Sequence, residues 1–214
     1  MFKFITGTER FIRHILSFWK QDIVYPHIDK TARIDSSAKV YNPSNLYMEE
    51  LTNIDAGATI MNTRAKFIMK RYSGAAFGLT VITGGHISVP GKHHKQITNK
   101  IKDEIDFNHE EDQDVIVDED VWIGARSVLL RGVHLGRGCI VGAGSVVRRS
   151  VPPYAMVAGN PAKIIGFRFT PKEMEIHEAA LMPEEERIPL ETLQKNYDNY
   201  FVKRIKDIRN YQKL

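Results

Sequence analysis

The chain has 214 residues, of which 43% are hydrophobic and 26% charged, so it can bury the core of a folded domain and is not disordered. Thirty basic residues against 26 acidic ones leave a net charge of +4, which is compatible with an anionic ligand but too small to indicate nucleic-acid binding. The sequence has no apolar run of about 18 residues, the length that a transmembrane helix needs. Cys139 is the only cysteine, which excludes an internal disulfide and favours a reducing, cytoplasmic location.

Residues 1–25 are predicted to contain an amphipathic helix. Its apolar residues fall close to one side of a helical projection: Phe4, Phe11, Ile15, Phe18 and Trp19. Charged residues interrupt them, so a cleaved signal peptide is not expected. Packing against the rest of the fold or against a second subunit is favoured, and contact with a membrane surface is the alternative.

From residue 26 onward, aliphatic residues recur at every sixth position, starting with Ile28, Ile34, Val40 and Leu46. The register then slips by two residues and resumes at Ile54 and Ile60, which indicates a bulge or a longer corner after Leu46. Beyond Ile60 the spacing is irregular, but β-forming residues continue, so this stretch is predicted to form one coil with modified corners.

Residues 87–112 carry no repeat, contain a Pro-Gly turn and are rich in charge. A long unpatterned insertion in a regular repeat is expected to project as a loop, and such loops are often functional. His86 stands where the apolar run before the loop ends. An imidazole held there by a rigid support is suited to accept a proton from a hydroxyl near neutral pH. A loop histidine without a role is the alternative.

The six-residue period is clearest between residues 115 and 147, where large aliphatic residues occupy Val117, Ile123, Leu129, Leu135, Val141 and Val147. Small or β-branched residues stand two positions earlier, and Cys139 is one of them. Neither a helix nor an ordinary strand has this period; it is typical of a parallel β-helix of hexapeptide units, three to a coil. Gly124, Gly136 and Gly142 are expected to supply positive φ angles at the corners.

The repeat is predicted to stop at Pro152-Pro153, because proline cannot donate to a following coil. A short segment, "YAMVAGNPAKIIGFRF", follows the prolines, and with it the β-helix domain is assigned to residues 26–169. Residues 170–214 are predicted to be helical, with Thr170 as N-cap, Pro171 at the first position and Glu173 three residues on. Four tail cations are assigned mainly to a solvated side: Lys203, Arg204, Lys206 and Arg209.

A three-sided prism with flat outer faces favours threefold association, so a homotrimer with ligand sites in the clefts between subunits is predicted. The other histidines carry less weight. His93 and His94 could bind zinc with His86 or His109, but nothing in the spacing fixes a complete ligand set, and no metal is expected. His134 is predicted to be an outward, solvated residue.

The chain resembles the hexapeptide-repeat acyltransferases, the sugar O-acetyltransferases and xenobiotic acetyltransferases in particular. The resemblance rests on "TGGH" before a loop with "HH", then "VWIG", "VGAGSVV" and "VPPYAMVAGNPAKII". It implies a mainly β fold, a left-handed parallel β-helix with a projecting loop and terminal α-helices, and transfer of acetyl from acetyl-CoA to a hydroxyl without a covalent enzyme intermediate. His86 corresponds to the family's catalytic base.

The resemblance also implies the remaining site residues. The backbone N–H of Ala125 is the candidate oxyanion donor, and Trp122 is expected to flank the site or to serve a subunit contact. Ala125 and Ala143 are 18 residues apart, one coil, and are expected to form a narrow wall for the pantetheine arm. The cations at positions that approach the CoA phosphates are Arg148, Arg149 and Lys163. Asn62 matches a residue that contacts the acceptor.

The expected acceptor is a sugar, as a precursor of a surface polysaccharide. The alternatives are a xenobiotic acceptor on the same machinery, a zinc carbonic anhydrase of the same fold, and a non-catalytic β-helical scaffold.

Overall fold

The computed structural model of the chain describes residues 24–212. The amphipathic helix predicted in residues 1–25 falls almost wholly outside the described residues. Within the described part, none of the helices is both long and apolar enough to cross a membrane.

The described chain winds through three sheets in turn, and each turn adds one strand to each sheet. Sheet A consists of β1 (His27–Ile28), β4 (Leu46–Met48), β7 (Phe67–Met69), β10 (Val115–Val117) and β13 (His134–Leu135). Sheet B consists of β2 (Arg33–Ile34), β5 (Asn53–Ile54), β8 (Gly74–Ala75), β11 (Trp122–Ile123), β14 (Ile140–Val141), β16 (Ala155–Ala158) and β17 (Lys163–Phe167). Sheet C consists of β3 (Lys39–Val40), β6 (Thr59–Met61), β9 (Thr80–Ile82), β12 (Val128–Leu130) and β15 (Val146–Val147).

All neighbouring strands are parallel except β16 and β17, which pair antiparallel at the end of sheet B. This is the three-sided parallel β-helix that the six-residue period predicts. The corners between the sheets are named here A–B, B–C and C–A, in the order in which the chain passes them. The irregular stretch after Ile60 forms β7, β8 and β9, one complete coil, as predicted.

The core is the stack of inward side chains from successive coils. On sheet A, Met48, Met69, Val117 and Leu135 stand in register, and each is at most 2% exposed. Burying each such side chain contributes about 1.5–3 kcal/mol, so the stack is the main source of stability. Cys139 is a fully buried member of this core, and burial raises the pKa of its thiol, which agrees with the packed thiol inferred from the repeat.

The register slip lies one unit earlier than predicted. Ile28 pairs with Met48, so Met48 and not Leu46 occupies the large inward position of β4. Leu46 takes the inner position two residues before, in register with Phe67. The two additional residues are absorbed by a 3-10 turn at Pro43–Asn45, at the C–A corner before β4.

The predicted role of three glycines is wrong. The positive φ angles occur at Arg126, Gly138 and Gly144, two residues after Gly124, Gly136 and Gly142. Gly124 is required for close approach instead, because a Cβ there would lie 2.6 Å from the backbone nitrogen of Ala143. A Cβ at Gly136 would lie 2.6 Å from the nitrogen of Pro153. These glycines therefore set the spacing between coils.

The loop between β9 and β10 leaves sheet C and returns to sheet A. It contains a 3-10 turn at His94–Gln96 and the helix α1 (Asn99–Ile105), which Thr98 caps through its hydroxyl. The tail forms α2 (Pro171–Leu181), α3 (Leu190–Tyr200) and α4 (Ile205–Gln212). The predicted cap of α2 is confirmed, since Thr170 and Glu173 form a reciprocal capping box.

Candidate active site

His86 lies at the C–A corner, directly after a pair of glycines that let the loop close on the coil. The N–H of Gly85 donates to the carbonyl of Glu111 at 2.5 Å, and Gly84 forms a bridge with Asp112. A Cβ at Gly84 would lie 2.7 Å from Oδ1 of Asp112, so no larger residue fits there unless Asp112 shifts. The imidazole of His86 is exposed on this corner.

A buried ion cluster supports the corner from beneath. Nζ of Lys102, from α1, donates to the carbonyl of Gly85 at 2.8 Å and to Oδ2 of Asp112 at 2.7 Å. Nε of Arg64 lies 3.0 Å from the same carboxylate oxygen. In this Lys102 cluster (Lys102, Asp112 and Arg64), the side chains of Lys102 and Asp112 are only 8% and 6% exposed and so are shielded from solvent, whereas Arg64 is 29% exposed. The backbone one residue before His86 is thus fixed by a charge-assisted hydrogen bond.

Ala125 and Ala143 stack at the B–C corner, as the one-coil spacing predicts. The N–H of Gly144 donates to the carbonyl of Ala125 at 2.8 Å. Ala143 is exposed and Ala125 is half-buried. Among the described residues, the N–H of Ala125 has no hydrogen-bond acceptor, which leaves this donor available to a ligand. The corner therefore presents small side chains and a backbone donor.

His86 and Ala125 stand at different corners of the same prism. Trp122 lies on the outer side of sheet B, 49% exposed, and its ring approaches Gly74 of the adjacent strand. Phe77 and Arg126 also belong to the B–C corner, where the guanidinium lies 5.6 Å from the ring centroid. Sequence reasoning missed this pair, although the N–H of Arg126 donates to the carbonyl of Phe77 on the adjacent coil.

Asn62 is fully buried at the C–A corner. Its Oδ1 accepts from the N–H of Asn42 at 3.0 Å, and its Nδ2 donates to the carbonyl of Asn42 at 2.8 Å. These bonds join two coils and use both ends of the amide. The acceptor contact predicted for Asn62 stays a prediction, and in this conformation the amide faces the core and not a cleft.

The predicted phosphate-binding cations converge at the far end of the β-helix. Arg148, Arg149 and Lys163 line one cavity of about 370 Å³. Tyr200 and Arg204 from the tail line it as well. Arg204 is half-buried there, whereas Lys203, Lys206 and Arg209 are exposed, as the assignment of these cations mainly to a solvated side predicts. Arg204 differs because the 3-10 turn between α3 and α4 turns it toward the β-helix.

His134 is outward and about half exposed, but it is not simply solvated. Its Nε2 lies 2.7 Å from Oδ2 of Asp118, and Nζ of Lys70 lies 2.8 Å from Oδ1. The hydrogen bond to Asp118 raises the pKa of His134. Burial would raise the pKa of Asp118, but hydrogen bonds from His134 and Lys70 outweigh it and lower the pKa. The 18-residue coil period aligns His134 with Ile116, and Asp118 stands two residues further along the neighbouring coil.

Within residues 24–212, no group of three or more histidine, cysteine, aspartate and glutamate side chains is arranged to hold a metal ion.

Comparison with known proteins places the repeat in a family. Residues 114–149 match the bacterial transferase hexapeptide family (six repeats). Over 61 residues the chain is 43% identical to a chloramphenicol acetyltransferase of Klebsiella aerogenes, covering 28% of this chain and 29% of that protein. Over 51 residues it is 55% identical to a 2,3,4,5-tetrahydropyridine-2,6-dicarboxylate N-acetyltransferase of Staphylococcus aureus (strain JH9), covering 24% of this chain and 21% of that one. The matches thus span less than a third of these relatives.

Two solved structures share the fold over a longer range. A hexapeptide-repeat acetyltransferase of Vibrio cholerae O1 biovar eltor complexed with acetyl coenzyme A has a TM-score of 0.57 at 18% identity, covering 79% of this chain and 94% of that one. A maltose O-acetyltransferase of Clostridium difficile 630 has a TM-score of 0.55 at 18% identity, covering 75% and 86%. The chain therefore carries bacterial transferase hexapeptide repeats and has the left-handed parallel β-helix fold of the hexapeptide-repeat acetyltransferases.

Proposed function

We propose that this chain is an acetyl-CoA-dependent O-acetyltransferase with His86 as its general base. The observation that carries the proposal is the placement of His86, an exposed imidazole on a corner that the buried Lys102 cluster fixes. A general base needs such a rigid support, because proton transfer depends on its distance from the acceptor hydroxyl. The acetyltransferase relatives of the repeat region support the same reaction class.

The chemistry assigned to the chain has two parts. The imidazole of His86 takes the proton of the acceptor hydroxyl as that oxygen attacks the thioester carbonyl carbon. The N–H of Ala125 then donates to the oxyanion of the tetrahedral intermediate, which collapses with loss of the CoA thiolate. The thiolate takes up a proton, so that the products are an acetyl ester and CoA.

This mechanism needs two subunits, because His86 and Ala125 lie at different corners of one chain. The proposed assembly is a homotrimer, in which His86 of one subunit faces the wall of Ala125 and Ala143 on its neighbour. The outer side of sheet C supports association, since Met61, Ile82 and Leu130 form an apolar column that is only half-buried in the single chain. Sedimentation of the protein at micromolar concentration tests this assembly, and a monodisperse monomer would contradict it.

The proposed acceptor is a sugar hydroxyl, in a cytoplasmic precursor of a surface polysaccharide. Acetylation of a xenobiotic is the second candidate, and the similarity to a chloramphenicol acetyltransferase favours it. Incubation with labelled acetyl-CoA and a panel of sugars, nucleotide sugars, amphenicols and amines separates these acceptors. Label on a sugar hydroxyl supports the proposal, whereas label only on an amphenicol or an amine contradicts the sugar assignment.

The two remaining alternatives give different results in the same preparation. A non-catalytic scaffold would transfer no label to any acceptor and would bind no acetyl-CoA. A zinc carbonic anhydrase would contain metal and would lose its activity with chelator, whereas acetyl transfer by His86 requires no metal.

A further inference from the structure

The cavity at the end of the β-helix is lined by four cations from three separate segments. Arg148 and Arg149 follow β15 at the C–A corner, Lys163 begins β17, and Arg204 ends the 3-10 turn between α3 and α4. None of the described residues that line the cavity is acidic. Its volume of about 370 Å³ lies within the range of roughly 300–1,000 Å³ that is typical of small-molecule sites.

Among the described residues, three arginines of this cavity lack the ion pairs that several other arginines of the β-helix form. Arg64, Arg71 and Arg137 each pair with a carboxylate. In contrast, Arg148, Arg149 and Arg204 form no ion pair within residues 24–212. Like charges that surround one cavity repel one another, so an anion that enters it relieves this repulsion.

Packing of the tail against the β-helix fixes the position of Arg204. The ring of Phe167, at the end of β17, lies 5.3 Å from the ring of Tyr197 and 6.3 Å from that of Phe201. At the start of the tail, the fully buried Glu178 accepts from the hydroxyl of Tyr154 at 2.5 Å and from Nη1 of Arg137 at 2.7 Å. The tail is therefore fixed to the β-helix at two places before the turn that ends at Arg204.

The resemblance already assigns three of these cations to the phosphates of the acetyl donor, and we propose that the C-terminal tail completes this phosphate site with Arg204. Guanidinium groups donate paired hydrogen bonds to phosphate oxygens, which a single surface lysine does not. The inference rests on the proposed function, since it takes CoA as the source of the phosphate. It assigns the tail to cofactor recognition, whereas the sequence resemblance gave this role only to Arg148, Arg149 and Lys163.

The test compares Arg204→Gln with Arg209→Gln by calorimetric titration of the full chain. Arg209 is an exposed arginine of the same tail that does not line the cavity, so it is a matched control for the loss of one charge. CoA and a nucleoside diphosphate sugar are titrated separately. We expect Arg204→Gln to weaken CoA binding roughly tenfold, as for the loss of a charge-assisted hydrogen bond. Arg209→Gln should leave CoA binding unchanged.

A second variant and a stability measurement serve as further controls. Arg204→Lys keeps the charge and should recover part of the lost affinity, and thermal unfolding shows whether each variant keeps the wild-type fold. Equal CoA affinity in Arg204→Gln and the wild type overturns the proposal. So does a loss confined to the nucleotide sugar, because the phosphate would then come from the acceptor. If the wild type binds no CoA at all, the proposed function fails, whereas normal CoA binding in Arg204→Gln refutes the role of the tail alone.

Discussion

His134 forms an ion pair with Asp118, and this contact affects both the pKa of the imidazole and the stability of the coil. Asp118 accepts from His134 and is 2.8 Å from Lys70, so two cations share one carboxylate at the A–B corner. Glu119 adds a negative charge that favours the imidazolium, while Lys70 opposes it. The net effect raises the pKa of His134 above its ordinary value of about 6.5.

The sign of the pH dependence follows from this shift. A raised pKa in the folded state means that the imidazolium contributes stability fully below about pH 6.5, and that this contribution disappears as the pH rises through the folded pKa. We expect His134→Gln to lower the free energy of unfolding by about 0.5 kcal/mol at about pH 5.5, since the half-exposed pair is screened by solvent. At about pH 8.5 the difference from the wild type should vanish. Urea unfolding at both pH values measures it, and an equal difference at both would contradict the assignment.

The long loop between β9 and β10 holds in place the corner that carries His86. Lys102 reaches from α1 to the carbonyl of Gly85 and the carboxylate of Asp112, and its side chain is 8% exposed. It touches no substrate in the proposed mechanism, so it is a positioning residue. Its contribution to turnover would come from holding the backbone beside His86 in place.

Lys102→Met tests this positioning role, because methionine keeps the unbranched shape of the side chain and removes its charge. We expect kcat to fall about tenfold with little change in KM, since a small displacement of a general base slows proton transfer more than it weakens binding. Lys100→Met is the matched control, being an exposed lysine of the same helix. Lys102→Arg should restore part of the rate. A wild-type kcat in Lys102→Met would show that the cluster does not position His86.

The sequence predicts an element well where the residues that determine it are close together in the chain. The period of six identifies the inward positions, so it predicts the coils and the buried Cys139 correctly. The cap at Thr170 is also predicted correctly, from the local sequence. The position of Leu46 is not, because both inner positions of β4 are apolar and the 3-10 turn before it adds two residues. The glycines were misread because their constraint is the approach of the next coil, which is a distance between segments and not a property of one corner.

In the whole molecule, the candidate site residues lie at the corners and at one end of the β-helix. The resemblance identified His86, Ala125 and Ala143 by number, but only the structure shows that they stand at different corners of one chain. Arg204 could not be predicted as part of the cation cavity, because its position depends on how the tail folds back onto β17. In the proposed mechanism, His86 and Ala125 therefore act from different subunits, whereas Arg204 joins its cavity through the fold of its own chain.

In the proposed mechanism, His86 removes the proton from the acceptor hydroxyl. The most direct test measures the transfer of labelled acetyl from acetyl-CoA to the best acceptor by the wild type, His86→Ala and His94→Ala, with CoA affinity titrated in parallel. We predict that His86→Ala lowers kcat by about 10²–10⁴-fold and leaves CoA affinity unchanged, because a general base acts on the acceptor. His94→Ala removes an exposed histidine of the loop and should retain the full rate. A wild-type kcat in His86→Ala would show that His86 is not the general base.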